Sequence, residues 1–130
     1  MEYESLESKI GYSFDNKKLL QESLTHTTYV NEHREEDLQD NQRLEFLGDA
    51  IINAVITTRL FTELAEEREG VLTKKRAELI NETALSRIAR YLSLGEHLLL
   101  GRGEEMDQGR EKASILADAY EALVGAIFLD

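Results

Sequence analysis

From Asn41 to Leu64 the apolar positions Leu44, Leu47, Ile51, Ala54, Val55, Thr58, Phe61 and Leu64 recur with helical spacing. That run predicts a central helix with those residues on its buried face. Upstream, a short helix is expected from Glu4 to Ile10, stopped at Gly11, a residue able to take the left-handed cap conformation. Asp15-Asn16 can cap a second helix with Leu19, Leu20 and Leu24 on one side. Thr25 to Gln39 is polar and poorly periodic and reads as loop with one helical turn. Beyond the central helix, Glu66-Glu67-Arg68-Glu69-Gly70 reads as a charged turn, and Thr73 as the N-cap of a helix from Lys74 to Ile80. Another helix follows Asn81-Glu82 and carries Leu85, Ile88, Ala89 and Leu92 toward Gly95. Leu98-Leu99-Leu100 should pack, and Gly101 to Gly109 reads as a flexible acidic loop. The last helix begins near Arg110 and is still apolar at Ile127-Phe128-Leu129, before Asp130. An apolar end without a cap predicts that a further segment, or another subunit, covers it.

Composition narrows the class. At 130 residues the chain suits one domain with a genuine core. Zero Pro, with frequent Leu, Ala, Glu and Lys, favours uninterrupted helices. No apolar run approaches the ~18 residues of a membrane span, and the acidic start Met1-Glu2-Tyr3-Glu4-Ser5 does not resemble a signal peptide. Without Cys there is no disulfide framework and no thiolate metal site, which fits a cytoplasmic protein. A net charge of −11 argues against simple electrostatic attraction to nucleic acid. The acidity either serves solubility or belongs in part to a cation site.

The chemistry concentrates in two places. Arg43-Leu44-Glu45-Phe46-Leu47-Gly48-Asp49-Ala50-Ile51 sets two carboxylates four positions apart in an apolar run. Asp118 and Glu121 repeat the arrangement within Ile115-Leu116-Ala117-Asp118-Ala119-Tyr120-Glu121-Ala122-Leu123. At such spacings each pair occupies one helix face, about 5–6 Å apart at Cβ. If the two helices pack side by side, the four acids converge, and without metal their mutual repulsion is severe. Mg²⁺ takes oxygen ligands and shares its shell with phosphates. Two such ions can orient a water for in-line attack and stabilise a departing 3′-oxygen. The competing reading is that these are surface carboxylates answering Arg43 or Lys112. Spacing alone leaves both open.

The segment Asn41-Gln42-Arg43-Leu44-Glu45-Phe46-Leu47-Gly48-Asp49 resembles the signature of the ribonuclease III family. Leu24-Thr25-His26-Thr27-Thr28-Tyr29 resembles the stretch preceding that signature, and Glu69-Gly70-Val71-Leu72-Thr73 with Arg76-Ala77 the stretch following it. Gly109-Arg110-Glu111-Lys112, then Ser114 to Asp118 and Glu121-Ala122, resembles the second acidic motif. The resemblance implies an all-α, homodimeric endonuclease domain over residues 1–130, cutting double-stranded RNA to leave 5′-phosphates and short 3′ overhangs. It implies Mg²⁺, with Mn²⁺ as a substitute, held by Glu45, Asp49, Asp118 and Glu121. Of these, Asp49 and Glu121 are the expected catalytic residues, Glu121 touching the reactive metal directly and Asp49 acting partly through water. Phe46 matches an aromatic knob at the dimer interface; its alternative is an ordinary core Phe. RNA and mRNA processing in the cytoplasm is the implied setting, with no membrane association.

Departures from the family pattern modify the expectations. Gln42 replaces a common Glu and is expected to alter substrate handling. Glu69 matches a recurrent acidic position near the site, though a helix-terminal surface Glu fits equally. Ala113 replaces a common Pro. The final helix of the nuclease domain and the double-stranded RNA-binding domain are expected to be missing from these residues, so RNA affinity should be weak and salt-dependent. Lys74, Lys75 and Arg76 are the densest cluster for phosphate contacts, unless they are merely solvated; Arg102, Arg110 and Lys112 are weaker candidates. RNA would be read by A-form shape and 2′-hydroxyls. A naturally short Mini-III-like nuclease of rRNA maturation and a non-cleaving dimerising relative are the alternatives. His26 and His33 are expected to be structural or solvated.

Overall fold

The computed structural model describes residues 2–130, and every regular element among them is helical. Helix α1 (Glu4–Ile10) stops as expected at Gly11, whose φ of 69° is left-handed and costs a glycine nothing. Helix α2 (Lys17–Ser23) starts at Asn16, whose side chain accepts from the Lys18 amide. Between them the buried Glu7 carboxylate accepts from the Phe14 amide (2.6 Å) and Lys17 Nζ (2.7 Å), which closes the connection.

The segment read as loop holds more helix than expected. Helix α3 (Thr27–Glu32) is organised by His26, whose ring accepts from the Thr28 amide. Local polarity hid it, because its backbone is fixed by the parallel bridge between Thr25 and Leu99, a partner distant in sequence.

Helix α4 (Gln42–Glu63) has the predicted extent and a different buried face. Leu44, Gly48 and Ile52 are buried, while Val55 is 59% and Phe61 72% exposed. The cause is Gly48, which adds nothing to a hydropathy pattern but allows contact between backbones. A Cβ there would lie 1.6 Å from the Glu121 carbonyl oxygen, and one at Gly125 would lie 2.4 Å from that of Leu44.

Helix α5 (Glu69–Leu79) starts ahead of the expected Thr73 cap. Glu69 sits in its first turn, where an acid favours the positive end of the helix dipole. Lys74, Lys75 and Arg76 are therefore inside the helix instead of at its start. Helix α6 (Glu82–Tyr91) is capped by Asn81, which accepts from the Ala84 amide at 2.8 Å. It ends short of Gly95, and a 3-10 turn (Leu94–His97) follows. Leu98 and Leu100 are buried, as expected.

The stretch read as a flexible acidic loop instead contains helix α7 (Arg102–Met106). Its acids answer nearby cations: Lys112 pairs with Glu104 and Asp107, and Arg110 with Glu105. A second 3-10 turn (Gly109–Glu111) delays the last helix, α8, which spans Ala113–Leu129.

Helix α8, not α4, is the central element. It packs against α2, α4 and α6 and buries residues around most of its circumference, from Ile115 and Leu116 to Leu123 and Ala126. Leu6, Leu20, Leu24, Leu94, Leu116 and Leu123 are fully enclosed, each burial contributing about 1.5–3 kcal/mol. Asp130 ties the end of α8 to the start of α2: its carboxylate accepts from the Tyr12 hydroxyl (2.7 Å) and the amides of Asp15 and Asn16 (2.9 Å each).

Candidate metal centre

The crossing of α4 and α8 builds the site. With Gly48 against Glu121 and Gly125 against Leu44, the turns of α4 bearing Glu45 and Asp49 meet the turns of α8 bearing Asp118 and Glu121. All four acids line one cleft of about 490 Å³, together with His26 and Gln42. Carboxylate oxygens of Glu45, Asp118 and Glu121 lie within 4.8 Å of one another. Asp49 stands outside that trio, exposed at the cleft, and its charge acts on Glu121.

The acids therefore act on one another between helices as well as within them: Glu45 feels Asp118 and Asp49, and Glu121 feels Asp49, Glu45 and Asp118. Sequence spacing had grouped the acids within each helix. Burial, reinforced by Asp118 and Asp49, pushes the Glu45 carboxyl up to about 7. Burial again, then the neighbouring Asp49, pushes Glu121 up to about 8. Asp118 is also raised by burial, an effect partly offset by the hydrogen bond with Glu45. Half-buried carboxyls this close, without a counter-cation, favour the protonated form, because neighbouring anions repel. An all-oxygen donor set of this kind suits a hard divalent cation.

Neither cation named in the surface-carboxylate alternative answers the four acids, although Asp49 is itself exposed. Lys112 is committed to Glu104 and Asp107, and the field of Arg43 falls on Glu22. Among the described residues none of the four acids forms an ion pair.

Other expected residues are distributed differently. Phe46 is 83% exposed at the cleft edge, which excludes the core alternative within one chain. Glu69 is remote from the four acids, lining a separate cavity of about 150 Å³ beside Phe61, Leu72 and Arg76. Lys75 faces Glu78, Arg76 donates to the Thr57 hydroxyl, and Lys74 is exposed. His33 stacks on Tyr29 with ring centroids 3.9 Å apart and is structural, as expected. His26 is structural, as expected, in capping α3, and its ring also forms part of the cleft wall, a placement that no spacing in the sequence signals.

A family model described as Ribonuclease-III-like matches residues 16–130. The chain belongs to the ribonuclease III family. It is 55% identical over 124 residues to Ribonuclease 3 of Myxococcus xanthus, covering 95% of this chain and 48% of that protein. Against Ribonuclease 3 of Geobacter metallireducens the identity is 51% over 126 residues, covering 96% and 51%. The chain thus spans about half the length of the curated relatives it matches. Among solved structures it resembles the nuclease domain of Campylobacter jejuni ribonuclease III, described as flexible in a region involved in dimer formation. There the TM-score is 0.90 at 43% identity, covering 98% of this chain and 85% of that one. A second structure of that domain gives a TM-score of 0.88 at 44% identity, covering 97% and 82%. As in those nuclease domains, this ribonuclease III-family chain is all-helical, and its acidic cleft lies on the two segments that resemble the family's motifs.

Proposed function

We propose that this chain is the catalytic portion of an endoribonuclease that hydrolyses phosphodiester bonds of double-stranded RNA, leaving 5′-phosphates and short 3′ overhangs. One observation carries the reading. Three carboxylates from two helices are held within 4.8 Å without a cationic partner, an arrangement that serves a divalent ion and is costly otherwise. Glu45, Asp118 and Glu121 would hold Mg²⁺, or Mn²⁺ in its place, and Asp49, lining the same cleft, would join them partly through bound water. Divalent ions so bound supply an activated water and stabilise charge on the leaving oxygen. Because Glu45 and Glu121 hold protons near neutrality, metal binding must release them, so affinity rises with pH.

The chain acts as a homodimer in this reading, with exposed Phe46 as the knob that a second copy receives. Gln42, at the cleft and uncharged, handles substrate and not metal. Glu69, on the surface between α4 and α5, is a candidate for handling RNA. Lys74, Lys75 and Arg76 supply phosphate contacts, and cytoplasmic RNA processing is the setting. Identity of 51–55% to Ribonuclease 3 proteins favours this reading over a Mini-III-like one.

The test is cleavage of an end-labelled RNA duplex in Mg²⁺ by the parent and by Glu121→Gln. The parent should cut, and the variant should bind the duplex yet lose at least ~10²-fold in rate, as when a group stabilising transition-state charge is removed. Cleavage by both at similar rates would remove Glu121 from the site, and binding without cutting by both would favour the non-cleaving relative.

A further inference from the structure

We infer that His26 is a substrate-contacting residue of this cleft, its Nε2–H donating a hydrogen bond to a phosphate oxygen of the RNA backbone. The inference rests on the nuclease reading above and adds a donor to a site otherwise described by its acids.

The ring is held in one tautomer by geometry. The Gly101 amide donates to Thr28 Oγ1 at 2.9 Å. The Thr28 hydroxyl, an acceptor there, turns its own hydrogen toward His26 Nδ1, 2.7 Å away. The Thr28 amide donates to the same Nδ1 at 3.3 Å. A ring nitrogen that accepts carries no hydrogen, so in the neutral ring the proton sits on Nε2. The His26 backbone is fixed as well, its amide donating to the Leu99 carbonyl at 3.0 Å. Gly101 is buried, and a Cβ there would meet Glu32 Oε2 at 2.4 Å and the Thr28 carbonyl at 2.8 Å. The pose therefore depends on tight contact between α3 and the segment leading into α7.

Nε2 has no hydrogen-bond partner among the described residues. Since no buried side-chain nitrogen or oxygen there lacks a partner, Nε2 is open to solvent. The ring lines the cleft beside Glu45, Asp49, Asp118 and Glu121. The cleft lining includes neither Lys nor Arg. A phosphodiester entering it needs hydrogen-bond donors, and a neutral ring N–H provides one without a fixed cation that would compete with metal for the carboxylates. Duplex RNA presents its backbone oxygens, more than its base edges, to a protein surface, which makes a phosphate oxygen the fitting acceptor.

The experiment uses the parent chain with His26→Ala, His26→Gln and Thr28→Val, each checked for folding by circular dichroism. Three readouts are taken: kcat/KM on a labelled duplex in Mg²⁺, duplex binding by fluorescence anisotropy in Ca²⁺, and Mn²⁺ binding without RNA by calorimetry. His26→Ala should lower kcat/KM roughly 10- to 100-fold, the range for a lost hydrogen bond to a charged group, and weaken anisotropy binding. Its Mn²⁺ affinity should match the parent. His26→Gln, with an amide N–H of similar reach, should recover part of the loss, and Thr28→Val should lower activity because the tautomer is no longer fixed. Parallel loss of Mn²⁺ affinity would overturn the inference, making His26 a positioning residue for Asp118. So would unchanged cleavage and binding in a folded His26→Ala protein. Substrates with 2′-deoxy sugars beside the scissile bond separate the acceptors: if the deoxy change slows the parent and not His26→Ala, the acceptor is a 2′-hydroxyl and the phosphate assignment fails. A parent that does not cut at all points to failure of the nuclease reading, and the anisotropy comparison still decides on His26.

Discussion

At the scale of residues, burial and the neighbouring acids across the α4–α8 crossing raise Glu45 and Glu121, and burial raises Asp118. Glu45 and Glu121 titrate above the ordinary glutamate value of about 4.3, at about 7 and about 8. The folded protein then binds more protons than the unfolded chain between these limits. Their contribution to stability is full below the unfolded pKa and is lost as pH rises through 7 and 8. In EDTA the melting temperature should therefore fall between pH 6 and pH 8.5. Millimolar Mg²⁺ or Mn²⁺ should raise it by several degrees, and more at pH 8.5 than at pH 6. Differential scanning fluorimetry measures both; a melting curve indifferent to metal at every pH would remove the metal site. The identities of these acids were legible because ionised groups are rare within apolar helical runs. Their partnerships were not, because spacing within a helix says nothing about which acid of another helix lies opposite. His26 was illegible for the same reason: Thr28 lies nearby in sequence, but Gly101 and Leu99, which fix the pose, do not.

Among the elements, Gly48 and Gly125 decide the site, since they set how closely α4 and α8 approach. Gly48→Ala should cost about 1–3 kcal/mol of stability through overpacking. It should also depress metal affinity, because a Cβ 1.6 Å from the Glu121 carbonyl must push α8 away from the Glu45 turn. Chemical denaturation and Mn²⁺ calorimetry on that variant check both effects, and native stability with native metal binding would show that the crossing does not position the acids. Helical extents were read well where periodicity was long, as for α4, and where caps were plain, as at Gly11 and Asn16. The buried face of α4 was misread because hydropathy gives Gly48 no weight. α7 was missed because its acids, read as loop polarity, are paired with Arg110 and Lys112.

For the whole molecule, α4 and α5 leave Phe46, Val55, Phe61, Val71 and Leu79 exposed, and α8 leaves Phe128 and Leu129. Exposed apolar surface on this scale marks an interaction face. In the homodimer proposed above, a second copy covers these residues, which would account for the apolar positions of α4 that the sequence placed in the core. Phe46→Ala should weaken self-association by about 2 kcal/mol, roughly 30-fold in Kd, as for a buried aromatic anchor. Sedimentation equilibrium measures this, and an unchanged constant would move the interface elsewhere. The all-helical class was legible from resemblance and composition together, whereas the centrality of α8 emerges only when its neighbours α2, α4 and α6 are in place. The most direct test of the central claim is anomalous diffraction from crystals soaked in Mn²⁺ at pH 8. The account predicts a manganese peak bonded to carboxylate oxygens of Glu45, Asp118 and Glu121. A cleft without manganese at saturating concentration, its carboxyls still paired to one another, would contradict it.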